Sequence, residues 1–302
     1  MLNDKSKVLK LDFSCKNLTS LPDLSEYVNL EELDCSSNKL TSLPELPDSL
    51  KSLICHSNKL ISLPKLPNSL SSLQCMYNNL ELFPELPNSL KEIRCHNNEL
   101  KTLPKLPDSL NRINCDINEL KILPKLPDSL KEISCYSNNI TSLPKLPDSL
   151  TILDCRKNKL KTLTKLPESL EYLDCRNNKL KTLTTLPDSL EILCCSNNLL
   201  TSLPELPVDL YYIECYNNLL TSLPILPLML EKLDCSYNQL SLLPEIPVEI
   251  FELDCSDNQL TSLPEMPDSL ETLKCSNNKF KYTNIIYRID GNIYVRNGSQ
   301  HY

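Results

Sequence analysis

The chain has 302 residues with two glycines, twenty-three prolines, fifteen cysteines and no tryptophan, a composition that excludes an average helix-and-sheet domain. Its formal net charge of -8 supplies no global basic field for nucleic acid or for an anionic membrane surface. No run of eighteen apolar residues occurs, and the first eleven residues lack a signal-peptide core, so a soluble chain with no membrane partner is expected.

From residue 30 onward a twenty-residue period governs the chain. Cysteine recurs from Cys35 to Cys275 and asparagine from Asn38 to Asn278, thirteen times each without a slip. Such a period calls for a repeat architecture before any other. The segment before it, residues 1–29, holds an off-pattern first unit. In LKLDFSCKNLTSLP, Phe13 takes the cysteine column and Lys16 the asparagine column, leaving Cys15 off the ladder, as expected of a capping repeat.

Each regular unit of residues 30–280 reads like LEELDCSSNKLTSLPELPDS at residues 30–49. Leu33 and Cys35 alternate with Asp34, the pattern of a short half-buried strand. One such strand cannot bury its inner face alone, so neighbouring units must stack as parallel strands roughly 4.8 Å apart. Asn38 follows the strand, where its amide can satisfy backbone groups left open by a turn. The prolines at Pro44 and Pro47 disfavour a helix in the return segment and predict an extended or polyproline-like course.

The motif L-x-x-L-x-C-x-x-N-x-L with an LPxLP return resembles the leucine-rich repeat. The short form resembles the repeats of secreted bacterial effectors, and the cysteine-rich version resembles leucine-rich-repeat proteins of giant DNA viruses of amoebae; the resemblance covers about residues 9 to 280. It implies a right-handed solenoid with parallel strands on the concave face, little helix on the convex side, and a role in binding protein. It also implies a host protein as partner if the chain comes from a virus or pathogen. After Phe280 the repeat stops, and two alternating apolar runs flank Asp290–Gly291, which predicts a β-hairpin over residues 281–302 covering the last repeat.

No catalytic, cofactor or metal site is expected. Thirteen ladder thiols pointing among leucines read as small hydrophobes, reduced in a cytoplasmic compartment, and their spacing across parallel strands is too wide for easy disulfides. Cys194 falls in the outward column with Asp34, Gln74 and Glu214, so an exposed and reactive thiol is expected there. A general base is missing from its neighbourhood, because His96 lies five strands away, roughly 24 Å at ~4.8 Å per strand. An effector-type enzyme acting through Cys194 is nevertheless the first rival reading.

The repeats also supply an internal control. The concave column holding Glu32, Ser52 and Ser72 becomes Ile152, Tyr172, Ile192 and Tyr212, with Tyr211, Tyr216 and Phe251 in adjacent columns and Arg156 and Arg176 beside them. Aromatic and apolar side chains on an otherwise polar surface mark a protein interface, and the arginines would orient the partner. The same stretch replaces polar residues with Leu199, Leu219, Val208, Leu228 and Val248. A monomer is expected, and self-association through that apolar surface is the second rival reading. Residues 101–181 hold fifteen Lys/Arg against ten Asp/Glu, whereas 182–272 hold one lysine against fifteen acids, an interleaving that excludes nucleic acid.

Overall fold

The computed structural model describes residues 4–280 together with the backbone of residues 285–289 and 292–296. It divides into two compact units, residues 1–158 and 159–302. The first opens on a three-residue 3-10 turn, Lys5–Lys7, capped by the Asp4 carboxylate, which accepts from the Ser6 N–H. Three-residue strands then recur: β1 (Lys10–Asp12), β2 (Glu32–Asp34), β3 (Ser52–Ile54), β4 (Ser72–Gln74), β5 (Glu92–Arg94), β6 (Arg112–Asn114), β7 (Glu132–Ser134) and β8 (Ile152–Asp154). The second unit holds β9 (Tyr172–Asp174), β10 (Ile192–Cys194), β11 (Tyr212–Glu214), β12 (Lys232–Asp234), β13 (Glu252–Asp254) and β14 (Thr272–Lys274).

Within each unit the strands pair in parallel and in perfect twenty-residue register, as in Leu33↔Leu53 and Leu193↔Ile213. The off-pattern first repeat joins the ladder with Leu11 opposite Leu33, which puts Phe13 in the cysteine column and leaves Cys15 exposed. The central residue of every regular strand is buried, and Leu30, Leu33, Cys35 and Leu40 are fully enclosed. Removing one such leucine side chain would cost about 2–5 kcal/mol. The return segments carry neither helix nor strand, and each closes one tight turn, as where the Leu50 N–H donates to the Pro47 carbonyl at 3.1 Å. The result is a parallel β-solenoid in which the only helical piece among the described residues is the 3-10 turn.

Three local devices explain why this sequence closes the same loop again and again. The first is the asparagine column. The Asn58 Oδ1 accepts from the Leu40 N–H at 3.0 Å, while its Nδ2 donates to the carbonyls of Cys35, Cys55 and His56. One side chain thus satisfies backbone groups in its own repeat and in the one before. The second is a serine in the return, since the Ser49 hydroxyl donates to the Leu30 carbonyl at 2.7 Å. The third is a left-handed residue just ahead of each ladder asparagine, from Ser37 at φ 54° to Asn277 at φ 55°. Asparagine tolerates this region and occupies it in five repeats, whereas the β-branched Ile117 at φ 50° is strained there.

The ladder thiols also donate. Cys95 Sγ and Cys115 Sγ contact the carbonyls of Asn114 and Ser134 at 3.4 and 3.3 Å, contacts that require the protonated form. Burial pushes these thiols well above their ordinary range, and Cys35 up to about 12.

Beyond the repeats, β15 (Ile285–Ile289) and β16 (Asn292–Arg296) pair antiparallel with Ile289 opposite Asn292. The expected connecting turn at residues 290–291 and the segment 281–284 lie outside the described residues.

Candidate partner-binding face

Because β9 to β12 are in register, Tyr172, Ile192, Tyr212 and Lys232 form one row on the outward side of the second unit. All four are half-buried. The next outward row is Asp174, Cys194, Glu214 and Asp234, and two residues further on come Arg176, Ser196, Tyr216 and Ser236.

Arg176 ties these rows together. Its Nε and NH2 groups donate to Asp174 at 3.0 and 2.7 Å, and its NH1 reaches across β10 to Glu214 Oε2 at 2.5 Å. Asp174 is fully buried, and the Arg176 guanidinium supplies the opposite charge that a buried carboxylate needs. The hydrogen bonds it donates to Asp174, reinforced by that residue's charge, hold Arg176 even more firmly protonated than usual. Glu214 also accepts from the Tyr212 hydroxyl at 2.5 Å, and the Tyr172 hydroxyl approaches Asp174 at 3.5 Å. Burial, then the bond to Glu214, push the Tyr212 phenol above its ordinary range. Lys232 lies 5.4 Å from the Tyr212 ring centroid and pairs with Glu252 at 3.0 Å.

This network corrects the expectation for Cys194. Its outward column is as predicted, yet the residue is only 4% exposed, because it sits between Asp174 and Glu214 and the Arg176 side chain spans the two. The thiol is covered and is no surface nucleophile. Its neighbour Ser196 is fully buried and its hydroxyl lacks a partner, whereas Ser36, Ser236 and Ser256 donate to the aspartates two residues earlier at 2.6 Å. Cysteine in place of aspartate at 194 removes that acceptor.

The remaining predicted contact residues are distributed as follows. Tyr211 and Phe251 stand one residue before their strands, Phe251 exposed and Tyr211 half-buried, and Tyr216 is half-buried in the Arg176 row. Ile152 and Arg156 belong to the first unit. There Arg156 pairs with Asp154 at 3.1 Å and stacks its guanidinium 4.6 Å from the Tyr136 centroid, while Ile152 lines a cavity of about 330 Å³ with Arg94, His96, Arg112 and Glu132. Sequence reasoning missed Tyr136 and Glu214. The signal for Glu214 was the one longer carboxylate in a column that carries Asp at 34, 154, 174, 234 and 254.

Among the described residues no group of three or more His, Cys, Asp or Glu could hold a metal ion. No helix among them is long and apolar enough to cross a membrane.

No curated protein matches the sequence. The family model for the leucine-rich repeat matches residues 29–53 and 169–193. YopM from Yersinia enterocolitica WA-314 is 37% identical over 91% of this chain and 70% of its own, with a TM-score of 0.68. YopM from Yersinia pestis, a leucine-rich effector protein, is 38% identical over 89% of this chain and 88% of its own, with a TM-score of 0.67. The functional domain of InlJ from Listeria monocytogenes, which includes a cysteine ladder, is 25% identical over 91% of this chain and 69% of its own, with a TM-score of 0.67. With its twenty-residue period, its parallel ladder and these likenesses, the chain belongs to the leucine-rich-repeat family.

Proposed function

We propose that the chain is a non-catalytic protein-binding scaffold whose partner meets the outward, concave side of the strands in the second unit. The observation that carries this reading is the row Tyr172, Ile192, Tyr212, held in register and fixed from below by the Arg176 network. Side chains already locked in place lose little entropy on binding, and aromatic rows rimmed by charge suit protein partners. Tyr211, Tyr216 and Phe251 extend that surface, and in the first unit Ile152 and Arg156 form a separate contact point beside Tyr136. Leucine-rich-repeat proteins are in general binding scaffolds rather than enzymes, and the protonated ladder thiols suit a reducing cytoplasm.

The test is recovery of bound proteins from a eukaryotic cytosolic lysate, comparing the native chain with Tyr172→Ala, Ile192→Ser, Tyr212→Ala combined. A protein retained by the native chain and lost by the variant supports the site; equal recoveries remove it. The rival effector-type enzyme needs an accessible Cys194. Iodoacetamide on the native protein is expected to label the exposed Cys15 and to spare Cys194; rapid labelling of Cys194 would restore that rival.

A further inference from the structure

A second surface lies on the return side of the second unit. In the repeats on either side of it the return carries Asp188–Ser189 and Asp268–Ser269, and each serine hydroxyl donates to a carbonyl of the preceding repeat at 2.8 Å. Three successive repeats between them replace the pair with Val208–Asp209, Leu228–Met229 and Val248–Glu249. The backbone turn is unchanged, since Leu210, Leu230 and Ile250 still donate to Pro207, Pro227 and Pro247 at 3.3, 3.1 and 3.3 Å. The fold therefore does not ask for these apolar residues, and they give up the serine contact to stand there.

They are not core residues either. Val208 is 72%, Leu228 76% and Val248 68% exposed, and Ile225 at 88% and Met229 at 58% widen the strip at its middle. Exposed acids, Glu205, Asp209, Glu245 and Glu249, rim it. The one cation of residues 182–272, Lys232, is engaged with Glu252. Successive repeats stack at roughly 4.8 Å, close to the roughly 5.4 Å pitch of an α-helix. Apolar residues spaced i, i+4, i+7 along a helix would match Val208, Leu228 and Val248 one by one.

We infer that this strip is a docking surface for the apolar face of a Lys/Arg-rich amphipathic helix of a partner protein, laid along the stack of repeats with its basic flanks on the acidic rim. A second copy of the chain is a poor occupant, because like acids would face one another and the described residues contain no amphipathic helix to offer. An anionic lipid surface is repelled by the same rim.

The test uses the full chain and a fluorescent Leu/Lys peptide of about five helical turns, with leucine on one face, followed by anisotropy. Binding is expected, and a peptide of the same composition with the leucines scattered should bind at least about tenfold more weakly. Ile225→Ser with Leu228→Asp, both at exposed positions, should weaken binding by a similar factor, as should Glu205→Lys with Glu245→Lys. Circular dichroism should show each variant folded. The combined Tyr172→Ala, Ile192→Ser, Tyr212→Ala variant should bind the peptide like the native chain, which separates this surface from the strand-side site. Equal binding of both peptides, or indifference to Leu228→Asp, overturns the proposal. So does a dimer in light scattering, or capture by phosphatidylserine vesicles, that Leu228→Asp abolishes.

Discussion

The outward faces of β5 to β7 and of β9 to β11 occupy the same positions of the same repeat, yet they treat charge differently. In the first unit Glu92–Arg94 and Arg112–Glu132 are surface pairs whose side chains remain 30–60% exposed. In the second, Asp174 is fully buried and Arg176 only 22% exposed, with two tyrosines hydrogen-bonded into the same network. A repeat scaffold fixes where a side chain starts but not how deeply it is buried. Depth is set by what stands in the neighbouring repeats, here Tyr172, Ile192 and Tyr212 in place of the charged Glu92, Arg112 and Glu132.

The largest expected effect follows from that contrast. Arg176→Ala should destabilise by about 3 kcal/mol, because it strands a buried carboxylate, whereas Arg94→Ala should cost about 0–1 kcal/mol as a surface pair does. Denaturant melts of the two variants measure both, and equal losses would show that the faces do not differ in burial. Asn118→Ala and Asn198→Ala should lie next, each costing about 2–3 kcal/mol through orphaned backbone groups. Because this column is alike in both units, unequal losses would break the premise that the scaffold is common and only the decoration differs.

Ser196→Ala should stabilise by about 1 kcal/mol by removing a buried hydroxyl without a partner, while Ser36→Ala should lose about as much. Thermal melts of this pair sharpen the comparison to one column. The smallest effect concerns Asp234, whose carboxyl is raised chiefly by burial and further by Asp254 and Glu214, against the opposing bonds from Ser236. A carboxyl with a folded pKa above its unfolded value of 3.8 penalises the folded state once ionised, and the penalty fades as pH falls through the folded value. Asp234→Asn should therefore be the more stable form near pH 7 by less than about 1 kcal/mol, and the gain should shrink toward pH 4. A gain that grows on acidification would reverse the sign argued here.

Most of the fold was legible from periodicity. Leu33, Cys35 and Asn38 announce inner face, strand and turn at fixed offsets, and the backbone follows because every repeat meets the same neighbours. The outward rows were legible as positions, so Tyr172, Ile192 and Tyr212 fall into register as expected. Their surroundings were not, because burial on that face depends on contacts between repeats that a column alignment does not display. Cys194 shows this clearly: its direction was right and its exposure wrong, since Arg176 lies eighteen positions earlier in sequence and its second acid, Glu214, twenty later. On the return side, by contrast, Val208, Leu228 and Val248 read from sequence as exposed and are exposed.

The asparagine column bears on how such a chain can change length. At joints within each unit, as at Asn158 and Asn218, the ladder amide bonds its own repeat and the one before it through the same atoms. Excising one whole period, or duplicating one, leaves a junction chemically identical to those already present. The number of repeats can therefore change by whole periods without a new kind of joint, while the residues that distinguish one repeat from another, such as Arg176 and Leu228, stay in place. Length and recognition can be altered separately in this architecture.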